Sequence, residues 1–300
     1  MTECERIIKE GVLPASFLKP ETICDFYVDE IRKKIWAIEL DLSIKFAEVC
    51  KKHNLRYWGD GGTLLGAIRH NGFIPWDDDM DFIMPREDYD KLTIIALEDF
   101  GEPYFLQTPH TDPGYGFSFA KLRNSNTTCI PRVFQKAGFN HGIHIDIFPL
   151  DSVCLETFEE EKKAITEHIM RNSSYMKRNS VEMLNDRQLQ NYRKYQTNDP
   201  VAEYDAIHEI CSNPAHNGSG YVANATVTSL KSSAQIWKAE WFEKTIMHRF
   251  ETIEIPMPSE IDFRLKAQYG NYMQFPSPEK RGSWHSDVIW DADRSYKEYT

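Results

Sequence analysis

The sequence predicts an α+β protein, with a small mixed sheet flanked by helices followed by a mainly helical half. Three observations carry that prediction. Apolar residues recur at helical steps between 26 and 52, strict alternation marks 142–150, and beyond about residue 155 the chain turns charged and helix-periodic. With 300 residues, 41% of them hydrophobic, the chain has enough apolar side chains for one large core or two modest ones.

The elements follow in order. Ile31, Ile35, Ile38, Leu42, Phe46 and Val49 step by three and four while Asp29, Lys33, Lys34 and Lys45 lie off their stripe, which predicts a long amphipathic helix ending at the breaker His53–Asn54. "LRYWG" (55–59) reads as a short strand and "DGGTLLGAIRH" (60–70) as a turn feeding a helix, stopped by "NGF". "DMDFIM" (79–84) alternates like a strand, and Pro85 opens a helix over 85–100. "YFLQ" (104–107) and "GFSFAKLRN" (116–124) read as strands. In "GIHIDIFPL" (142–150), Ile143, Ile145 and Ile147 point to the core and His144 and Asp146 to the other face, toward a cleft. These elements divide the chain into a core over 1–155 and a helical region over 156–300 that completes the cleft and the acceptor site.

Composition excludes several functions. A net charge of −11 argues against a protein that coats nucleic acid, which needs a basic face to displace counterions. No stretch approaches the roughly 20 apolar residues of a transmembrane helix, and the first 22 residues lack a signal-peptide layout, so the expected location is cytoplasmic. Six scattered cysteines without a C-x-x-C pair suggest neither a zinc knuckle nor a disulfide framework. A phosphate-bearing ligand on so acidic a chain needs placed basic residues or a bound cation.

"IPWDDDMDF" (74–82) sets four carboxylates in five positions inside an apolar frame. Side chains two apart share a face of a strand, so Asp77, Asp79 and Asp81 converge while Asp78 points away. Three carboxylates on one face suit a hard divalent cation, Mg²⁺ or Mn²⁺. An EF-hand is excluded, because its sixth position would be Phe82 and its twelfth Asp88. Ahead of the cluster, Gly61, Gly62 and Thr63 open a helix whose free N–H groups favour a phosphate. A glycine turn, an Asp79–Asp81 pair and a distant carboxylate, here Asp146, form the layout of the nucleotidyltransferase superfamily. Lys121 and Arg123 share a strand face and are candidates for phosphate oxygens.

"WGDGGTLLGAIRHNGFIPWDDDMDFIMPREDYDKL" (58–92), "HIDIFPLD" (144–151) and "YGNYMQFPSPEKRGSWH" (269–285) closely resemble the LicD family. Founding members of that family transfer phosphorylcholine onto bacterial surface glycans, and its animal relatives include fukutin and fukutin-related protein. The resemblance implies a CDP-alcohol donor, most often CDP-choline, release of CMP, and a glycan or lipid-linked sugar as acceptor. It implies metal binding by Asp77, Asp79, Asp81 and Asp146, with Asp79, Asp81 and Asp146 catalytic. Gly61, Gly62, Thr63, Lys121, Arg123, Arg281 and His285 are the expected substrate contacts, although the tail reads "PSPEKR" where relatives often carry "PPEEKR". An enzyme acting on lipid-linked precursors would work at the inner face of the membrane. The rivals are a D-x-D glycosyltransferase and a non-catalytic choline-binding module, and no aromatic repeat supports the module.

Overall fold

A computed structural model describes residues 1–227, 236–282 and 287–300, with no account of the Ala96 side chain. The long helix α2 (Glu30–His53) begins where the Asp29 carboxylate accepts the Arg32 N–H at 2.8 Å, and ends at Asn54 in the left-handed region, φ 54°. Its predicted stripe holds for Ile35, Ile38, Leu42, Phe46 and Val49, all buried, while Ile31 is exposed. Lys33, off the stripe, is nevertheless buried because its ammonium reaches Glu21 Oε1 at 2.5 Å.

The main sheet has seven strands centred on β8 (Ile143–Ser152). Along one edge β8 pairs in parallel with β4 (Asp81–Pro85), which in turn pairs antiparallel with β3 (Trp58–Gly59). Its other edge pairs first with β6 (Ala120–Asn124), itself paired to β5 (Tyr104–Gln107), and then with β9 (Tyr221–Ala223), itself paired to β10 (Ile236–Lys238). The short helices α3 (Gly61–His70) and α4 (Arg86–Asp99) follow β3 and β4, as the sequence predicts.

Alternation along β8 sorts the two faces. Ile143, Ile145 and Ile147, with Phe82, Leu122 and Ala120, meet α2 in the largest core cluster. Each such fully buried aliphatic side chain contributes roughly 1.5–3 kcal/mol of transfer free energy. The opposite face carries Asp81, Asp146, Lys121, His144 and Arg123 in one region and, beside them, Ile83 and Phe148 in an apolar cluster with Trp58, Trp237 and Phe242.

The second half supplies the expected helices α5 (Phe158–Lys177), α6 (Asp186–Lys194), α7 (Pro200–Cys211) and α8 (Ile261–Tyr269). It also contributes strands: β9 and β10 extend the main sheet, β11 (Thr245–Phe250) and β12 (Ile253–Pro258) form a hairpin, and β13 (Val288–Asp291) pairs with β7 (Thr128–Pro131). β9, β10 and β13 are only three or four residues long, too short for alternation to mark them as it marks β8.

Candidate active site

Gly59 closes β3 and Asp60 caps the chain into α3, so the Gly61–Gly62 turn meets the start of β4. Two backbone bonds lock the junction: Asp60 N–H donates to the Asp81 carbonyl at 2.9 Å, and Asp81 N–H donates to Thr63 Oγ1 at 2.8 Å. The glycines are required by space. A Cβ on Gly61, where φ is +51°, would lie 2.5 Å from Asp81 Oδ2, and one on Gly62 would lie 2.5 Å from Asp77 Oδ2. The carboxylates therefore lie against the helix N-terminus, where backbone N–H groups are unpaired.

Asp77, Asp79 and Asp81 line one cavity of about 1090 Å³ together with Gly61, Gly62 and Trp76. This is the convergence that alternation predicts, although only Asp81 belongs to a strand. Residues 77–80 are irregular, and Asp78, expected to point away, stays off the cavity wall but close to its neighbours. It is buried, and Asp77, Asp78 and Asp79 each bring an oxygen within 4.8 Å of the others. Helix α2 clamps the segment from behind: Arg32 Nη1 and Trp36 Nε1 donate to the Asp77 carbonyl at 2.6 and 3.1 Å, and Ser43 Oγ lies 3.3 Å from Met80 Sδ. On the same side of α2, Glu39 is fully buried, and its Oε2 has no hydrogen-bond partner among the described residues.

Burial pushes the Asp77 carboxyl well above its ordinary range, and the neighbouring Asp79, which also shares a hydrogen bond with it, pushes in the same direction. Burial likewise raises Asp81, with Asp79 and Asp146 adding to the effect. Glu39 is raised by burial and then by Asp79, Asp78 and Asp77. So many carboxyls cannot ionise together unless a cation offsets them. The donors are all carboxylate oxygens, three of them mutually close, and an unpartnered buried carboxyl oxygen lies behind them. That set fits a hard divalent ion.

Asp146 faces Asp81 across the parallel β4–β8 pair but does not itself line the cavity. Lys121 Nζ reaches Asp146 Oδ1 at 2.5 Å, and His144 Nε2 lies 3.4 Å from the same oxygen. Burial lowers the Lys121 ammonium from its usual range, and Asp146 opposes that fall.

Four of the expected substrate contacts are engaged by the protein's own groups: Lys121 by Asp146, as above, and three more. Thr63 is buried and spends its hydroxyl on the Asp81 N–H. Arg123 is buried, with its guanidinium donating to Gln107, to the Gly142 carbonyl at 2.6 Å and near His144 Nδ1 at 3.2 Å, so it braces His144. Arg281 donates to the carbonyls of Pro276 (2.9 Å) and Cys24 (3.1 Å) and lies over Trp76, bracing the cavity rim. His285 lies outside the described residues.

Four further residues were not among the expected site residues, although three of them fall in the quoted 269–285 motif. Arg264, fully buried on α8, pairs with Asp60, and its guanidinium stacks 3.6 Å from the Trp237 ring centre. Tyr269, Tyr272 and Phe275, at and beyond the end of α8, wall the cavity opposite the aspartates. Asp60, directly before Gly-Gly-Thr, was identifiable as an N-cap position; its arginine partner 204 residues away was not.

The sequence is similar to known proteins. Residues 54–194 match the LicD/FKTN/FKRP nucleotidyltransferase domain. The lipopolysaccharide cholinephosphotransferase LicD of Haemophilus influenzae is 26% identical over 261 residues, covering 80% of this chain and 90% of that protein. An uncharacterised protein of Rickettsia prowazekii is 54% identical over 84 residues, 28% of this chain and 27% of that protein. The human ribitol 5-phosphate transferase FKRP is 50% identical over 40 residues, 13% of this chain and 8% of that protein. Residues 54–194 thus form a LicD/FKTN/FKRP-type nucleotidyltransferase domain, within a chain that is similar to a LicD transferase along most of its length.

Proposed function

We propose that this enzyme transfers phosphorylcholine from CDP-choline, releasing CMP, to a hydroxyl of a cell-surface glycan or its lipid-linked precursor. The observation that carries the reading is the meeting of Asp77, Asp79 and Asp81 with the Gly61–Gly62 helix start in one large cavity. The name of the Haemophilus relative supports choline; the short match to FKRP favours ribitol phosphate as the second reading.

Asp77, Asp79 and Asp81, with Asp146 at their flank, would hold Mg²⁺ or Mn²⁺. A divalent ion there supplies charge neutralisation for a diphosphate and its leaving group. The α3 N-terminus offers N–H groups to phosphate oxygens. The acceptor oxygen attacks the phosphorus bearing the alcohol, the bond to the CMP oxygen breaks, and the hydroxyl proton passes to a carboxylate, a role proposed for Asp146 as the alternative to holding the ion. Lys121 and His144 fix the orientation of Asp146. Among the described residues no helix is long and apolar enough to cross a membrane, so a lipid-linked acceptor would be met at a membrane surface.

The test is a panel of CDP-alcohols with purified protein and Mg²⁺, read by ³¹P NMR. Phosphorus appearing on the acceptor with CMP released supports the reading. Turnover of nucleotide sugars added to the same panel, with no phosphorus on the acceptor and no CDP-alcohol consumed, marks a glycosyltransferase and contradicts it.

A further inference from the structure

The apolar region beside the carboxylates opens into a second cavity that the reaction described above leaves unused. Its volume is about 300 Å³, and four phenylalanines line it: Phe117, Phe119, Phe134 and Phe148. Phe119 and Phe148 lie 4.3 Å apart between ring centres, and Phe117 touches both Phe119 and Phe134.

Two observations connect this cavity to the reaction. Lys121, whose ammonium holds Asp146, lies 5.4 Å from the ring centre of Phe117 and 5.2 Å from that of Phe119. Lys177 lies 6.0 Å from the ring centre of Phe134, so three of the four rings each present one face to an ammonium at the cavity edge. Ser118, also lining the cavity, is buried, and its Oγ has no hydrogen-bond partner among the described residues.

The large cavity has the opposite character at its far end. Arg69 lies over Trp76 and Phe275, Arg281 lies over the same two rings, and Lys280 lines the wall. That end suits the anionic nucleotide and repels a fixed positive charge. The phenylalanine cavity differs: its wall is mostly aromatic and aliphatic with the hydroxyls of Ser118, Ser173 and Thr226, and of the two lysines at its edge Lys121 is neutralised by Asp146 while Lys177 donates to Ser173.

We propose that the Phe117–Phe119–Phe134–Phe148 cavity receives the quaternary ammonium headgroup of the transferred alcohol, so that the donor lies across the Asp81–Asp146 pair with its nucleotide in the large cavity. The inference rests on the function proposed above. Cation–π contact and apolar burial reward a trimethylammonium group, whereas a polyol such as ribitol would leave most of its hydroxyls unpaired there. The cavity selects the alcohol, and the aspartates serve any CDP-alcohol.

The experiment compares wild type with Phe134→Leu and Phe117→Leu, changes that keep apolar volume while removing a ring face. Thermal unfolding checks that each variant is folded. The expected result is a five- to tenfold fall in the kcat/KM ratio of CDP-choline to CDP-glycerol, the range expected for loss of one desolvated cation–π contact. Saturation-transfer NMR with tetramethylammonium chloride should show contact in the wild type and weaker contact in both variants. An unchanged ratio together with unchanged tetramethylammonium contact overturns the proposal. So does a wild type that turns over CDP-ribitol and not CDP-choline, which leaves phospho-alcohol transfer standing. If no CDP-alcohol is used at all, the proposed function fails and the NMR arm alone decides the cavity. Contact with a decyl chain but not with tetramethylammonium also overturns the proposal, by marking the cavity as an acyl seat.

Discussion

Asp81 and Asp146 are register partners on adjacent parallel strands, one following the glycine turn and the other placed by the alternation of β8. The pair joins two distant sequence motifs and defines the line across which the reaction would run. Burial and mutual repulsion make it costly without a cation, and the predictions below follow from that cost.

Asp81→Asn removes a charge from a crowded, buried site. Both Asp77 and Asp81 bind a proton more tightly folded than unfolded, so stability without a cation falls as pH rises above about 4, the ordinary carboxylate value. At pH 8 in EDTA, urea titration should find the variant about 1 kcal/mol more stable than wild type. CMP release should fall at least a hundredfold, as for loss of a charge-stabilising group.

Gly62→Ala places a methyl 2.5 Å from Asp77 Oδ2 before relaxation, so the carboxylate must move. Since the clash is local, far-ultraviolet circular dichroism should be unchanged while turnover drops tenfold or more. Gly61→Ala adds backbone strain at φ +51° and should also lower the melting temperature.

Arg264→Met leaves Asp60 buried and unpaired, at a cost of about 3–5 kcal/mol in unfolding free energy. The double variant with Asp60→Asn should recover part of that loss. Additive losses in a double-mutant cycle would show that the pair is not coupled.

Lys162 donates to the carbonyls of Ala225 (2.7 Å) and Val227, and burial lowers its pKa to about 8. The unfolded chain keeps that proton up to about 10.5, so between pH 8 and 10.5 the unfolded state binds more protons and stability rises with pH. The full rise is about 3 kcal/mol. Lys162→Met should flatten this part of the urea-derived stability profile.

The parts of the fold legible in the sequence are those where one periodicity dominates. The α2 stripe, the alternation of β8 and the glycine turn before α3 each follow from local chemistry. Less legible were positions settled by a distant partner. Lys33 is buried because Glu21 reaches it, and Asp60 is anchored by Arg264 from a helix near the other end of the chain. Asp78 stays off the cavity wall as alternation expects, but its closeness to Asp77 and Asp79 was not legible, because the segment that α2 clamps at Asp77 is irregular. Thr63 and Arg123 carry the residue types of phosphate contacts, yet buried backbone groups take their hydrogen bonds first.

The most direct test of the central claim is calorimetric titration of the full chain with Mn²⁺, alone and with CMP. The account predicts Mn²⁺ binding in wild type, strengthened by CMP, and loss of at least tenfold in affinity in Asp79→Asn with the fold intact. Equal Mn²⁺ affinity in the wild type and Asp79→Asn, or no binding in either, would contradict it.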